Sequence, residues 1–245
     1  MITLYDIPSK AADSPGTMTT WRTRYCLNLK NLPYKTVYVE VPDIEALAKK
    51  IGAAPTGLQL DGVSPRYTVP IIQDRSTGVV ISNSPDIAAY LDKTYPSVGP
   101  VLIPAGTMAL QLAFTDAVAE ALEHLRVPLF YVNMVSKMNE RTTACMREKL
   151  SGIYTLEASK GEEREKMWAM TKRNLGKMDK WLEGSEGDFV MGKEPCFADT
   201  VIGAFLWLIR SVVGRESEEW NDIATWNNGR WGKYLDSFKP FEVVA

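Results

Sequence analysis

The hydrophobic pattern changes period several times along the chain. Ile2-Thr-Leu4-Tyr-Asp6-Ile7 alternates, and a period of two predicts a strand over residues 1–7. Pro8 to Gly16 carries the breaker pair Pro15-Gly16 and reads as loop. Trp21, Tyr25, Cys26 and Leu29 recur at three- and four-residue steps, which predicts a helix ending near Asn31-Leu-Pro33. Lys35 to Val41 alternates again and reads as a second strand. Ile44 to Ile51 is a short helix, and the Gly-, Pro- and Asp-containing stretch Gly52 to Ser64 is loop.

Tyr67-Thr-Val-Pro70-Ile-Ile sets an X-Pro bond between a polar loop and an apolar run. Proline donates no N–H and suits the start of a strand, and such a bond is kept cis mainly at tight turns. Residues 70–73 are therefore a strand, Ser76-Thr-Gly78 reverses the chain, and Val79 to Ile81 returns as a hairpin. Ser84 fits a helix N-cap and Pro85 the first helical position, with Ile87, Ala88, Tyr90 and Leu91 behind them up to Tyr95-Pro96. A constrained turn facing a helix N-terminus is a candidate carboxylate site, because the free N–H groups and the dipole favour an anion. The same pattern also fits a hairpin and a capped helix with no ligand.

Beyond Pro96 the character changes. Residues 97–106 hold Gly99, Pro100, Pro104 and Gly106 and form a linker. Leu110, Phe114, Ala117, Ala121 and Leu125 follow at helical spacing, with Pro128 ending or kinking that helix. Cys145 to Leu156 and Met167 to Leu182 are further helical windows, and Gly184 to Gly187 is a turn. Phe197 to Val213 is apolar on most sides, as in a buried helix. Three tryptophans mark the C-terminal stretch. These elements predict a mixed α/β domain over 1–96, the linker, and an all-α domain over 107–245.

Composition narrows the function. The 245 residues are 45% hydrophobic and 24% charged, with a formal net charge of −2, which is ordinary for a globular protein. No Lys/Arg cluster points to nucleic acid or an anionic membrane, and no apolar run has transmembrane length. The N-terminus lacks the basic and apolar regions of a secretory signal. Cys26, Cys145 and Cys196 are widely spaced and odd in number, so a disulfide framework is not expected and a reducing, cytoplasmic setting is. His124 is the single histidine, which excludes any site needing two from one chain. Cys26 falls within an apolar helical pattern and is expected in the core, and His124 is expected as an ordinary helix residue. Arg22 and Arg24 are expected to be solvated or paired, while Arg66 adjoins the Val-Pro turn.

The layout resembles the cytosolic glutathione transferases, whose N-terminal domain is thioredoxin-like and whose C-terminal domain is helical. Trp21-Arg-Thr-Arg-Tyr-Cys-Leu-Asn-Leu-Lys30, Leu32-Pro-Tyr-Lys-Thr36, Pro42-Asp-Ile44, Ala89-Tyr-Leu-Asp-Lys-Thr-Tyr-Pro96 and Phe197-Ala-Asp199 are together similar to the fungal Fu-A class, relatives of bacterial lignin β-etherases. The resemblance implies glutathione as co-substrate, no metal and a homodimer. Val69, before a cis Pro70, would pair with the cysteinyl part of glutathione. Asn83-Ser84 stands where the family holds the γ-glutamyl end, with Asn83 in place of an acidic residue. The activating hydroxyl of Ser-type relatives lies four residues before the tryptophan of the first motif, here Thr17. The serine-proline pair that often fills the place occurs earlier, as Ser14-Pro15, so both hydroxyls are candidates and Thr17 is preferred. Thr19 and Thr20 would lie inside the helix.

A thiol with pKa near 8.5 reacts as its thiolate, which a donated hydrogen bond and a helix N-terminus both favour. The resemblance implies small aromatic or phenolic electrophiles or aryl ethers as substrates, in a pocket lined by helix one, Tyr131 or its neighbours and the aromatic C-terminal segment. The alternative is a ligandin that binds hydrophobic aromatics with little turnover. Asp199 is expected to be structural, in a capping box that Cys196 only half keeps.

Overall fold

The computed structural model describes residues 1–10, 16–125, 129, 131–151 and 159–245. In chain order the first part runs β1 (Ile2–Asp6), α1 (Met18–Leu29), β2 (Tyr34–Tyr38), α2 (Ile44–Ile51), β3 (Gly57–Leu58), β4 (Pro65–Arg66), β5 (Ile71–Asp74), β6 (Val79–Ser82) and α3 (Ser84–Thr94). Helices alone follow: α4 (Met108–Leu122), α5 (Val132–Ser136), α6 (Glu140–Ser151), α7 (Gly161–Glu183), α8 (Phe197–Val213) and α9 (Glu218–Phe238).

The main sheet has the order β2-β1-β5-β6. β1 and β2 are parallel, with Ile2 opposite Tyr34, and β1 is antiparallel to β5, with Ile2 opposite Asp74. β5 and β6 form the expected hairpin, Ile71 opposite Ser82. Alternation along β1 divides the core. Ile2 and Leu4 join Ile72 under α1 and α3, whereas Tyr5 and Ile7 join Ile71 against Ile44 and Ala48 of α2, as period two demands. This is the thioredoxin-like arrangement, with an all-helical part packed beside it.

α1 is buried on nearly all sides, from Thr20 through Leu27. It lies between the sheet and α8, and Trp21 stacks on Trp207 with ring centroids 4.0 Å apart. Arg24 is fully buried and donates to Asp6 Oδ2 at 2.8 Å, to Thr36 Oγ1 at 3.0 Å and to Tyr34 Oη at 3.3 Å. Burial pushes the Asp6 carboxyl upward, against the opposing pull of Arg24.

Several expectations are corrected. The stretch 52–64 is not all loop, since β3 and β4 pair as a hairpin; two-residue strands carry too little alternation to read. The strand expected from Pro70 begins at Ile71, because Pro70 turns the chain into the sheet and its carbonyl accepts from Asn83 N at 3.2 Å. The second strand ends at Tyr38, and a 3-10 turn with Pro42 covers Val41–Asp43. Ser84 is not the N-cap of α3. Asn83 is, at φ +76°, a backbone region asparagine tolerates better than serine. The reciprocal capping box at Cys196 and Asp199 is present in both halves, with Cys196 N donating to Asp199 Oδ2 at 2.8 Å. Asp199 is indeed structural, accepting also from Val190 N and the Tyr234 hydroxyl. The helix expected over Cys145 to Leu156 begins earlier, at Glu140; residues 152–158 and Pro128 lie outside the described residues. α9 carries a break at Trp226 to Gly229.

Candidate functional site

Thr17 is the N-cap of α1, in extended backbone, and its Oγ1 accepts from Thr20 N at 3.3 Å. That fixes the hydroxyl at the positive end of the helix. Gly16 delivers the chain to this position at φ +91°, and a Cβ there would stand 2.3 Å from Asp6 Oδ2; only glycine fits both conditions. Thr17 Oγ1 also lies 3.0 Å from the hydroxyls of Thr19 and Thr20. Ser14, the other candidate hydroxyl, lies outside the described residues.

The Val69–Pro70 bond is cis. Thr19 donates its hydroxyl to Val69 O at 3.3 Å, so the first turn of α1 and the cis-proline turn are tied across fifty residues of sequence. Sequence reasoning set Thr19 aside as a helix-interior residue. It does lie inside α1, but in the first turn, where its side chain borders the same cavity as Thr17. Thr20 is the buried one. The signal available was positional: the first helical turn next to an N-cap is solvent-side unless something covers it.

Between α1, the Val69 turn, α4, α6 and α8 lies a cavity of about 520 Å³. Thr17, Thr19 and Val69 mark one end; Val118, Leu122, Phe205 and Leu208 supply the apolar wall. Helix one and Tyr131 border it, as the family resemblance implies, but the C-terminal tryptophans do not. A cavity of this size and mixed lining suits a small organic ligand. Pro70, Asn83 and Ser84 do not border it. They form an adjoining corner: Pro70 follows the cavity-lining Val69 through the cis bond, and its carbonyl accepts from Asn83 N. Ser84 is buried at the start of α3, and Asn83 is exposed, its Nδ2 donating to Asp86 Oδ2 at 2.9 Å. The first-turn N–H groups of α3 have no carbonyl within the helix to pair with, which leaves a carboxylate-binding end beside the turn.

The remaining candidates separate clearly. Cys26 is fully buried, and burial pushes its thiol up to about 12, so it is a core residue. His124 Nε2 sits 2.8 Å from Thr171 Oγ1, and burial, with Arg173, lowers its pKa. Arg24 is paired with Asp6 as described. Arg22 is neither exposed to solvent nor paired: it is 7% exposed, lines the cavity, and makes no hydrogen bond or salt bridge among the described residues. Arg66 is exposed on the cavity rim. Among the described residues no group of three or more His, Cys, Asp or Glu is placed to hold a metal ion, and no helix is long and apolar enough to cross a membrane.

Comparison with known proteins agrees with this geometry. The family model for the glutathione S-transferase N-terminal domain matches residues 18–94, and that for the C-terminal domain matches residues 109–241. A search of curated proteins gave no match. Among solved structures, a glutathione S-transferase of Ceriporiopsis subvermispora in complex with glutathione is 40% identical over 100% of this chain and 98% of its own, with a TM-score of 0.91. Glutathione transferase GSTFuA3 from Phanerochaete chrysosporium is 33% identical over 100% and 98%, with a TM-score of 0.90. The β-etherase LigF of Sphingobium sp. strain SYK-6 shares the fold at 18% identity, over 97% and 94%, with a TM-score of 0.60. The cis-proline turn, the capped first helix, the sheet order and both domain matches lead to one assignment: the chain belongs to the glutathione S-transferase family.

Proposed function

We propose that the chain binds glutathione at the Val69–Pro70 turn and the start of α3, and transfers its sulfur to small aromatic electrophiles held in the cavity. The observation that carries this reading is Thr17, whose hydroxyl caps α1 on the cavity wall. Its Oγ1 accepts from Thr20 N, and its O–H hydrogen is within reach of the Thr19 and Thr20 hydroxyls and can be turned to the ligand instead. Donated to the glutathione sulfur, it stabilises the thiolate, and the N-terminus of α1 adds a positive field. Val69 would pair through its backbone with the cysteinyl residue. Asn83 and Ser84 at α3 would hold the γ-glutamyl end, the carboxylate taking the free N–H groups. The thiolate attacks the electrophile, the leaving group departs, and no protein nucleophile is consumed. Glutathione bound to the similar Ceriporiopsis enzyme supports this choice of co-substrate.

Aryl ethers are included among the acceptors because LigF, a β-etherase, shares the fold. A homodimer is part of the same proposal, checked by light scattering. So is the division into a glutathione domain (1–96), a linker (97–106) and a helical domain (107–245).

A second reading is a ligandin that stores aromatic compounds. It is favoured by the Thr17 hydroxyl lying within bonding distance of two neighbouring hydroxyls, which compete for its hydrogen. Turnover of an aryl halide and a β-aryl ether, measured beside glutathione affinity for wild type, Thr17→Ala and Ser14→Ala, separates the cases. The transferase reading expects Thr17→Ala to lower the rate about 10–100-fold at neutral pH, one to two units of thiol pKa. Loss with Ser14→Ala instead moves the hydroxyl to Ser14. Binding of glutathione and aromatics without turnover in wild type selects the ligandin.

A further inference from the structure

Arg22 is one turn beyond Met18 on the cavity face of α1. Its Nε is sealed from solvent and has no hydrogen-bond partner, and the guanidinium makes no ion pair among the described residues. The acidic group it senses is Asp116 on α4, which is exposed and does not reach it as a salt bridge. Burial lowers its pKa to about 10, so it remains charged at neutral pH. A buried guanidinium normally sits in a set of acceptors, because an unpaired charge in an apolar surround is costly. Arg24, one helical step away, has such a set, with Asp6, Tyr34 and Thr36. The contrast between two arginines on one helix is the key observation: the Nε of each lacks a partner, but the terminal nitrogens of Arg24 bond Asp6, Tyr34 and Thr36, whereas Arg22 lines the cavity and bonds no described residue. The wall around that space is biased the same way, with Arg66 and Lys149 against one carboxylate, Glu123, among the described residues.

We propose that Arg22 is the anion anchor of the acceptor half of the cavity, so that the preferred aromatic ligand carries a carboxylate. The planar fork of donors suits a carboxylate held by two parallel hydrogen bonds, while Val118, Leu122, Phe205 and Leu208 take the ring. This rests on the reading of the cavity as the electrophile side of a glutathione site, and specifies what that side selects. Glutathione itself carries carboxylates, so the rival occupant is the tripeptide.

The experiment is calorimetric titration of 2-naphthoate and of its neutral methyl ester, with glutathione titrated separately, into wild type, Arg22→Gln and Arg22→Lys. Wild type is expected to favour the acid over the ester at least tenfold. Arg22→Gln is expected to erase that preference while leaving ester and glutathione affinities within about twofold, and Arg22→Lys to restore part of it. Because an unpaired charge is removed, the ligand-free melting temperature of Arg22→Gln should hold or rise. Equal binding of acid and ester by wild type overturns the proposal without recourse to any variant. So does a loss confined to glutathione, which would assign Arg22 to the tripeptide, or a fall in melting temperature with both naphthyl affinities lost together. Acid preference in a protein that binds no glutathione would sink the transferase reading and leave this one standing.

Discussion

The hydroxyl of Thr19 donates to the carbonyl oxygen of Val69 at 3.3 Å, joining the first turn of the first helix to the cis-proline turn. Thr17, two residues earlier, is within 3.0 Å of that same hydroxyl. Thr19 holds the turn, and under the proposed function Thr17 turns its hydrogen from the neighbouring hydroxyls to the glutathione sulfur. Thr19→Val should weaken glutathione binding about fivefold, the worth of one modest hydrogen bond near 1 kcal/mol. Thr17→Ala should lower kcat with a smaller change in affinity. Steady-state kinetics beside calorimetry checks the split; equal loss of rate in both variants would refute it.

Gly16 precedes Thr17 at φ +91°, against the Asp6 carboxylate. Gly16→Ala meets a strained backbone region and a clash with a side chain that Arg24 holds in place. The expected result is a loss of about 1–3 kcal/mol and of activity together, read from denaturant melts and turnover.

Asp6 and Arg24 are a fully buried ion pair. Removing one charge strands the other, so Arg24→Met is expected to cost about 3–5 kcal/mol. The double variant Asp6→Leu with Arg24→Met should recover much of this. Urea unfolding of the single and double variants tests it, and additive losses would contradict it.

Trp21 is 2% exposed and stacks on Trp207 across the seam between sheet and helical part. Trp21→Ala should destabilise by about 3–5 kcal/mol in a single cooperative transition, because the seam belongs to both halves. Two separated transitions by fluorescence and circular dichroism would show the halves unfolding alone.

Acid should loosen α6. Glu40 accepts from Asn139 Nδ2 at 2.7 Å and from the Thr142 hydroxyl, and these bonds, that from Thr142 foremost, hold its carboxyl below the ordinary 4.5. A depressed carboxyl stabilises the fold above its unfolded value, and the contribution disappears as pH falls through the folded one. Melting temperature should therefore drop below about pH 4.5, and Glu40→Gln should flatten that drop. Melts taken from neutral pH down to about 3 decide the matter.

What the sequence revealed follows from what its periodicity encodes. α8 was legible residue for residue over Phe197–Val213, because a helix buried on most sides is apolar on most sides. The β5–β6 hairpin and the cis-proline turn were legible because proline and glycine mark them. The facing of α1 was not. Packed on both sides, it has no clean apolar stripe, so nothing in Trp21-Arg-Thr-Arg distinguishes the arginine that pairs with Asp6 from the one that borders the cavity. Asn83 and Ser84 differ as caps by a backbone angle, and the β3–β4 hairpin is too short for alternation to register. Thr19 was hidden for a related reason: its partner is a carbonyl fifty residues away.

α1 leaves little room for change. Thr17 and Thr19 meet the site, Trp21 and Tyr25 hold the seam, Arg24 neutralises Asp6, and Arg22 borders the cavity. Substitution there alters stability and chemistry at once. Relatives with different acceptors would accordingly diversify on the opposite wall, at the exposed Ala119 of α4 or Lys149 of α6, where a new side chain reshapes the ligand space without touching the core. A library aimed at new acceptors belongs on α4 and α6, with the first helix kept constant.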